Sequence, residues 1–214
     1  MQRFLVYFIL CHVFGGLGAI DTKAMQHLIK GNIKQALYLF NKSCESGDYA
    51  ACYELGVLYS KGEKVQKDHH KSMNYYENAC NGGIFSACNN LGVMFSEGTG
   101  VRQDYLRSLE LYDKACHNGN ADACNNLGVM FENGYVSEKR DYVQAGLYYT
   151  DACMGKSAKG CYNLGFLVFH GKGTKRDMEV GMEYFGLSCD FGFQEGCNRY
   201  KELTLKQLAL SRYR

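Results

Sequence analysis

The chain has 214 residues, is 46% hydrophobic, and carries a formal net charge of +2 with acids and bases interspersed. That balance argues against a nucleic-acid binder, which would need a basic stripe. The absence of proline fits a chain that is helical almost throughout, because proline breaks helix interiors.

The N-terminus has the parts of a secretory leader. Arg3 precedes an apolar run from Phe4 to Phe14 and a small-residue exit, Gly15-Gly16-Leu17-Gly18-Ala19. The run is too short for a spanning helix, so residues 1–19 are expected to be a signal peptide cleaved after Ala19. An uncleaved interfacial anchor or a buried first helix are the alternatives. Phe8-Ile9-Leu10 lack the small residues that a lipoprotein site at Cys11 needs. Eleven cysteines is an odd count, and removing Cys11 with the leader leaves ten. Those ten recur with one spacing: Cys44 and Cys52, Cys80 and Cys88, Cys116 and Cys124, Cys153 and Cys161, Cys189 and Cys197. Seven residues separate the members of each set, and the sets start 36, 36, 37 and 36 residues apart. A fixed period of this length marks a stacked array of helical hairpins. Leader and cysteine usage together place the protein in the periplasm or outside the cell.

After the leader, residues 20–48 read as a partial repeat. A short helix from Asp21 to Lys30 is followed by a break at Gly31-Asn32 and a second helix from Ile33 to Ser46. Four full repeats follow at 49–84, 85–120, 121–157 and 158–193, and residues 194–214 form a capping helix. The first helix of each repeat carries a cysteine, then Leu-Gly three and four residues on, then an aromatic at Tyr59, Phe95 and Phe131 seven residues on. These positions share one helical face. A mid-helix glycine on that face costs about 1 kcal/mol against alanine, so a close-packed neighbour must offset it. Gly62, Gly98, Gly134 and Gly171 end the first helices. Asp68, Asp104, Asp141 and Asp177 stand twelve residues before the next cysteine and suit the N-cap of the second helix. The third repeat has one extra residue in this loop, which accounts for the period of 37.

The second helices show their own pattern. Small residues (Ala36, Ser72, Ser108, Ala145, Gly181) precede the cysteine by eight, and aromatics (Phe40, Tyr76, Tyr112, Tyr149, Phe185) precede it by four. Small residues again (Ser43, Ala79, Ala115, Ala152, Ser188) precede it by one. Small–aromatic–small at helical spacing is read as core, with large side chains nested into notches on the next helix, rather than as an aromatic binding stripe.

Leu-Gly-x-x-aromatic followed by Ala/Ser-x-x-x-Tyr-x-x-Ala is similar to the tetratricopeptide repeat. The period near 36 and the Gly98-Thr99-Gly100-Val101 loop resemble its Sel1-like variant more closely. With a Cys-x7-Cys in every repeat, residues 33–200 resemble the Helicobacter cysteine-rich protein family. The fourth repeat departs slightly, with Val168 at the aromatic position beside Phe169, and Lys175 in the loop. The resemblance implies an all-α, right-handed solenoid of Sel1-like hairpins. It also implies a disulfide within each Cys-x7-Cys, joining the end of one repeat's second helix to the start of the next repeat's first. Zinc is the competing reading, and the spacing is not that of a zinc knuckle.

The family carries a β-lactamase label, and this resemblance alone makes penicillin binding with weak hydrolysis the alternative function. The sequence has no Ser-x-x-Lys, Ser-Asp-Asn or Lys-Thr-Gly set, no Gly-x-Ser-x-Gly and no His-Glu-x-x-His. His69-His70 read as a solvated helix start, and His117 and His170 as helix-end caps. No catalytic residue, cofactor or metal is assigned. The expected function is recognition of an extended peptide or a protein, cell-wall-derived or from a host, by a monomer with no membrane or nucleic-acid partner after leader cleavage. In tetratricopeptide-like arrays the first helices line a concave groove. Tyr53, Asn89, Asn125 and Tyr162 follow the cysteines and are placed there, with Asn90, Asn126 and Asn163 beside them and Val57, Val93, Val129 and Phe166 one turn on. An asparagine ladder supplies donors and acceptors to a peptide backbone. Hydrogen bonds inside each repeat are the competing use of those amides.

Overall fold

The structure, a computed structural model, is described for residues 22–211, with side chains to Ala209. The expected leader, its cleavage site and Cys11 lie outside the described residues. Among the described residues there are eleven α-helices and no strand. They are α1 (Thr22–Ile29), α2 (Ile33–Glu45), α3 (Tyr49–Lys61), α4 (His69–Asn81), α5 (Phe85–Glu97), α6 (Tyr105–His117), α7 (Ala121–Asn133), α8 (Tyr142–Met154), α9 (Ala158–His170), α10 (Met178–Asp190) and α11 (Gln194–Ser211). The chain forms two compact units, one ending at Gln103 and one beginning at Asp104. In the first, each helix from α1 to α5 packs on the next. In the second, α6 to α11 do the same, and α9 also lies beside α7 and α11, so first helices of successive repeats are neighbours.

The local punctuation follows from side-chain chemistry. Asp68, Asp104, Asp141 and Asp177 each accept hydrogen bonds from backbone N–H groups in the opening turn of the second helix, satisfying donors that a helix start leaves orphaned. Gly62, Gly98, Gly134 and Gly171 take the left-handed conformation at the C-cap of the first helix, φ 70–75°. The loop then closes through the backbone, with Asp68, Asp141 and Asp177 N–H donating to the carbonyls of Tyr59, Phe131 and Val168. The fourth repeat tolerates Val168 at the aromatic position because that contact uses only the carbonyl. Phe169 beside it supplies the buried ring, 6% exposed.

A second left-handed position lies three residues after the first cysteine of each set. It is Gly47, Gly83, Gly119 and Gly192 in four turns, but Lys156 in the remaining one, at φ 65°. A non-glycine residue there costs roughly 1–2 kcal/mol. Lys156→Gly is therefore expected to raise the unfolding free energy by about 0.5–1 kcal/mol, after glycine's own greater chain entropy is set against that cost. Chemical denaturation would show it, and an unchanged midpoint would contradict it.

The core is built as the periodicity predicts. Ala36, Ser72, Ser108 and Ala145 are fully buried, as are the aromatics Phe40, Tyr149 and Phe185. Leu55, Leu91, Leu127 and Leu164 of the first helices bury against them. The Leu-Gly glycine serves the ring. A Cβ on Gly56 would stand 2.5 Å from the Tyr76 ring, and one on Gly128 would stand 2.4 Å from Tyr149. The serine at the small position also bonds: Ser72 donates to the Gly56 carbonyl at 2.8 Å.

All ten cysteines of the described residues are bridged within their Cys-x7-Cys sets, with Cα–Cα distances between 4.4 and 4.8 Å. Each bridge ties the last turn of a second helix to the first turn of the following repeat, as the resemblance implied. One expectation needs correcting. His69 is half-buried rather than solvated, because Gly100 of the next loop packs against its Cβ. Gly173 packs on Tyr142 in the same way. The second glycine of Gly-x-Gly thus seats one repeat's loop on the preceding second helix.

Candidate binding face

The asparagines and tyrosines placed in the groove divide between the two units. In the first unit Tyr53 lies on α3, and Asn89 and Asn90 on α5. The Tyr53 ring leans on Tyr76, centroids 5.9 Å apart. Asn90 lies near both tyrosines. Burial raises both phenols above their usual range, which keeps them as neutral donors.

In the second unit the ladder is explicit. Asn163 on α9 donates from Nδ2 to Oδ1 of Asn125 on α7 at 2.8 Å, a bond between repeats rather than within one. Asn125 is only 5% exposed and its own amide faces Asn126 at 3.5 Å. Asn125 therefore orients Asn163, while half-buried Asn163 keeps its Oδ1 and a second N–H available to a ligand. Tyr162 sits at the Tyr53 position and behaves alike, its ring 5.3 Å from Phe185 and 5.4 Å from Phe193. These rings wall the face and stiffen it. Phe166, one turn on, contacts the His170 ring at 4.4 Å.

Sequence spacing missed one member of the row. Asn126 and Asn163 stand two residues after a second cysteine, and so does Arg199 after Cys197. Its guanidinium lies 5.6 Å from the Phe169 ring centroid. The same count that placed the asparagines would have found it.

A depression of about 210 Å³ beside the Cys116–Cys124 bridge, lined by His117, Tyr148, Asp151 and Met154 among others, contains none of these asparagines. Among the described residues no cluster of histidine, cysteine and carboxylate side chains could hold a metal. Ser157 donates to Asp122 at 2.8 Å and caps α9, so this hydroxyl–carboxylate pair is accounted for by the fold.

A Sel1 repeat signature matches residues 24–48, 50–84, 85–120, 121–157 and 158–192. The chain belongs to the Sel1 repeat family. Sel1 repeat proteins generally mediate protein–protein interaction. Among solved structures, a Sel1 repeat protein from Oxalobacter formigenes superposes with a TM-score of 0.76 at 24% identity, covering 84% of this chain and 73% of that one. A protective antigen of uropathogenic Escherichia coli with an SLR fold gives 0.69 at 29% identity, covering 76% of this chain and 35% of the antigen. Helicobacter pylori cysteine rich protein B is 30% identical over 64% of this chain and 98% of its own length, with a TM-score of 0.49. No curated protein matches the chain significantly by sequence. Among the described residues no helix is long and apolar enough to cross a membrane. The disulfides fit an oxidising compartment.

Proposed function

We propose that this Sel1 repeat protein is exported, behind a leader at residues 1–19, and binds extended peptides or extended segments of proteins along the first-helix face. The observation that carries the reading is the Asn163–Asn125 hydrogen bond. It fixes an amide at the junction of two repeats while leaving an acceptor and a donor for a peptide backbone. Tyr162 and Phe166 beside it offer an apolar wall that ordered rings supply at little entropic cost. Five staples hold the repeats that carry the face, so binding spends little on ordering the protein itself. The monomer suffices for such a face. In this reading residues 20–48 are an opening cap, 49–193 the binding repeats and 194–214 a closing cap.

Asn163→Ala is the direct test. Losing two ligand hydrogen bonds is expected to weaken a captured peptide about tenfold or more, at roughly 1 kcal/mol per bond. Stability should also fall, by about 1–3 kcal/mol, since the buried Asn125 Oδ1 loses its donor, so affinity is read well below the melting midpoint. Fluorescence anisotropy with a peptide selected on the oxidised protein reads the first effect and thermal melting the second. Unchanged affinity would remove the ladder from the binding face.

A further inference from the structure

The far end of the second unit collects positive charge that the fold neutralises only in part. The His170 ring packs on Phe166 at 4.4 Å and on Phe169 at 5.2 Å. Lys172 stands over Phe166, its Nζ 4.8 Å from the ring centroid, and over Tyr142 at 5.2 Å. Arg199 stands over Phe169. Arg176 donates from Nε to the Phe169 carbonyl at 3.2 Å. Of these three cations only Arg199 has a carboxylate partner among the described residues, Glu202 at 2.9 Å. Glu202 is itself shared with Lys206 at 2.6 Å. The field is felt at His170, whose imidazole is held below its usual pKa first by burial and then by Arg199, Lys172 and Arg176.

Gathering like charges opposes folding unless something offsets it. The aromatic rings do so in part, each holding a cation by its negative face, and they also aim these cations. Lys172 is fixed between two rings rather than swinging freely in solvent, and Arg199 occupies the asparagine row's next position. An extended ligand that follows Asn126 and Asn163 along α7 and α9 arrives here.

We propose that Phe166, His170, Lys172 and Arg199 form an anchor for an acidic side chain, Asp or Glu, of the extended peptide bound along the asparagine row. The carboxylate sits between the Lys172 ammonium and the Arg199 guanidinium, and a neighbouring apolar residue lies on Phe166. The anchor rests on the peptide-binding reading and adds to it the sign of the ligand's charge and the end of the face where that charge lies.

Selection of random linear peptides displayed on phage, on the oxidised protein and on its Lys172→Gln/Arg199→Gln variant, tests it. Peptides retained by the unmodified protein are expected to be enriched in Asp and Glu, and those retained by the variant are not. A selected acidic peptide should lose about tenfold in affinity for the variant, the size of one charge-assisted hydrogen bond. Its Gln counterpart should lose nothing. Asn163→Ala should weaken both peptides alike. Lys172→Gln alone guards against a folding defect, because among the described residues the Lys172 ammonium stands over two rings without a hydrogen bond or ion pair; it should reproduce part of the loss with a nearly unchanged circular dichroism melt. Peptides selected without acidic enrichment would overturn the anchor and leave the groove standing. No selected peptide at all would overturn both. Phosphatidylglycerol vesicles that bind the unmodified protein and displace the acidic peptide would also overturn the anchor, in favour of a general anionic-surface patch.

Discussion

Gly128→Ala is expected to lower stability by about 2 kcal/mol, even though alanine is the better helix former by about 1 kcal/mol. The added Cβ would lie 2.4 Å from the Tyr149 ring. Relief requires the ring to move, and it cannot. Tyr149 is fully buried, and its hydroxyl donates to Glu132 at 2.7 Å. Burial and the Glu132 carboxylate together push that phenol far above its usual range, so Tyr149 remains the donor at neutral pH. Gly146, on α8 of the same repeat, is the internal control. A Cβ there meets only Leu167 at 3.8 Å, an ordinary contact. Gly146→Ala should therefore stabilise by up to about 1 kcal/mol. The two variants make the same chemical change and are predicted to move the thermal midpoint in opposite directions, Gly128→Ala down by about 4–8 °C. Equal shifts of one sign would show that helix propensity, not the ring contact, governs these positions.

Reduction is expected to have the largest effect of all. Each bridge spans a sequence separation of 8, and a loop of that size contributes about 2–3 kcal/mol on chain-entropy grounds. Five together are on the order of 10 kcal/mol, comparable with the whole stability of a typical domain. The reduced chain should lose its cooperative helical melt at physiological temperature. The bridges should also open in order. Cys80 and Cys88 are 2% and 0% exposed, while Cys44, Cys116, Cys189 and Cys197 are only partly buried. Thiolate attack needs access to a sulfur, so Cys80–Cys88 should be among the last to open. Timed alkylation read by mass spectrometry gives the order, and early labelling of Cys80 would contradict it.

Most of the fold was legible because its signals are local. The expected helix from Ile33 to Ser46 runs from Ile33 to Glu45. The four aspartates cap where their spacing places them, since a cap involves only its own next turn. The four C-cap glycines do the same. His69 departs from its expected solvation because the loop that covers it comes from a segment about thirty residues later, and no helical periodicity reports such a contact. Asn125 and Asn163 look equivalent to their repeat-mates in the sequence. Only packing makes one buried and the other half-buried, joined by a hydrogen bond between repeats.

The amino-acid sequence by itself therefore determined the repeat, its helices, its caps and the family, because each is written in spacing that recurs every 36 or 37 residues. The tertiary structure alone decided which asparagine is buried. It also decided which glycine must stay a glycine and where cations gather on aromatic rings. Those properties depend on side chains from different repeats meeting across helix interfaces, at distances of a few ångströms that a one-dimensional period does not encode.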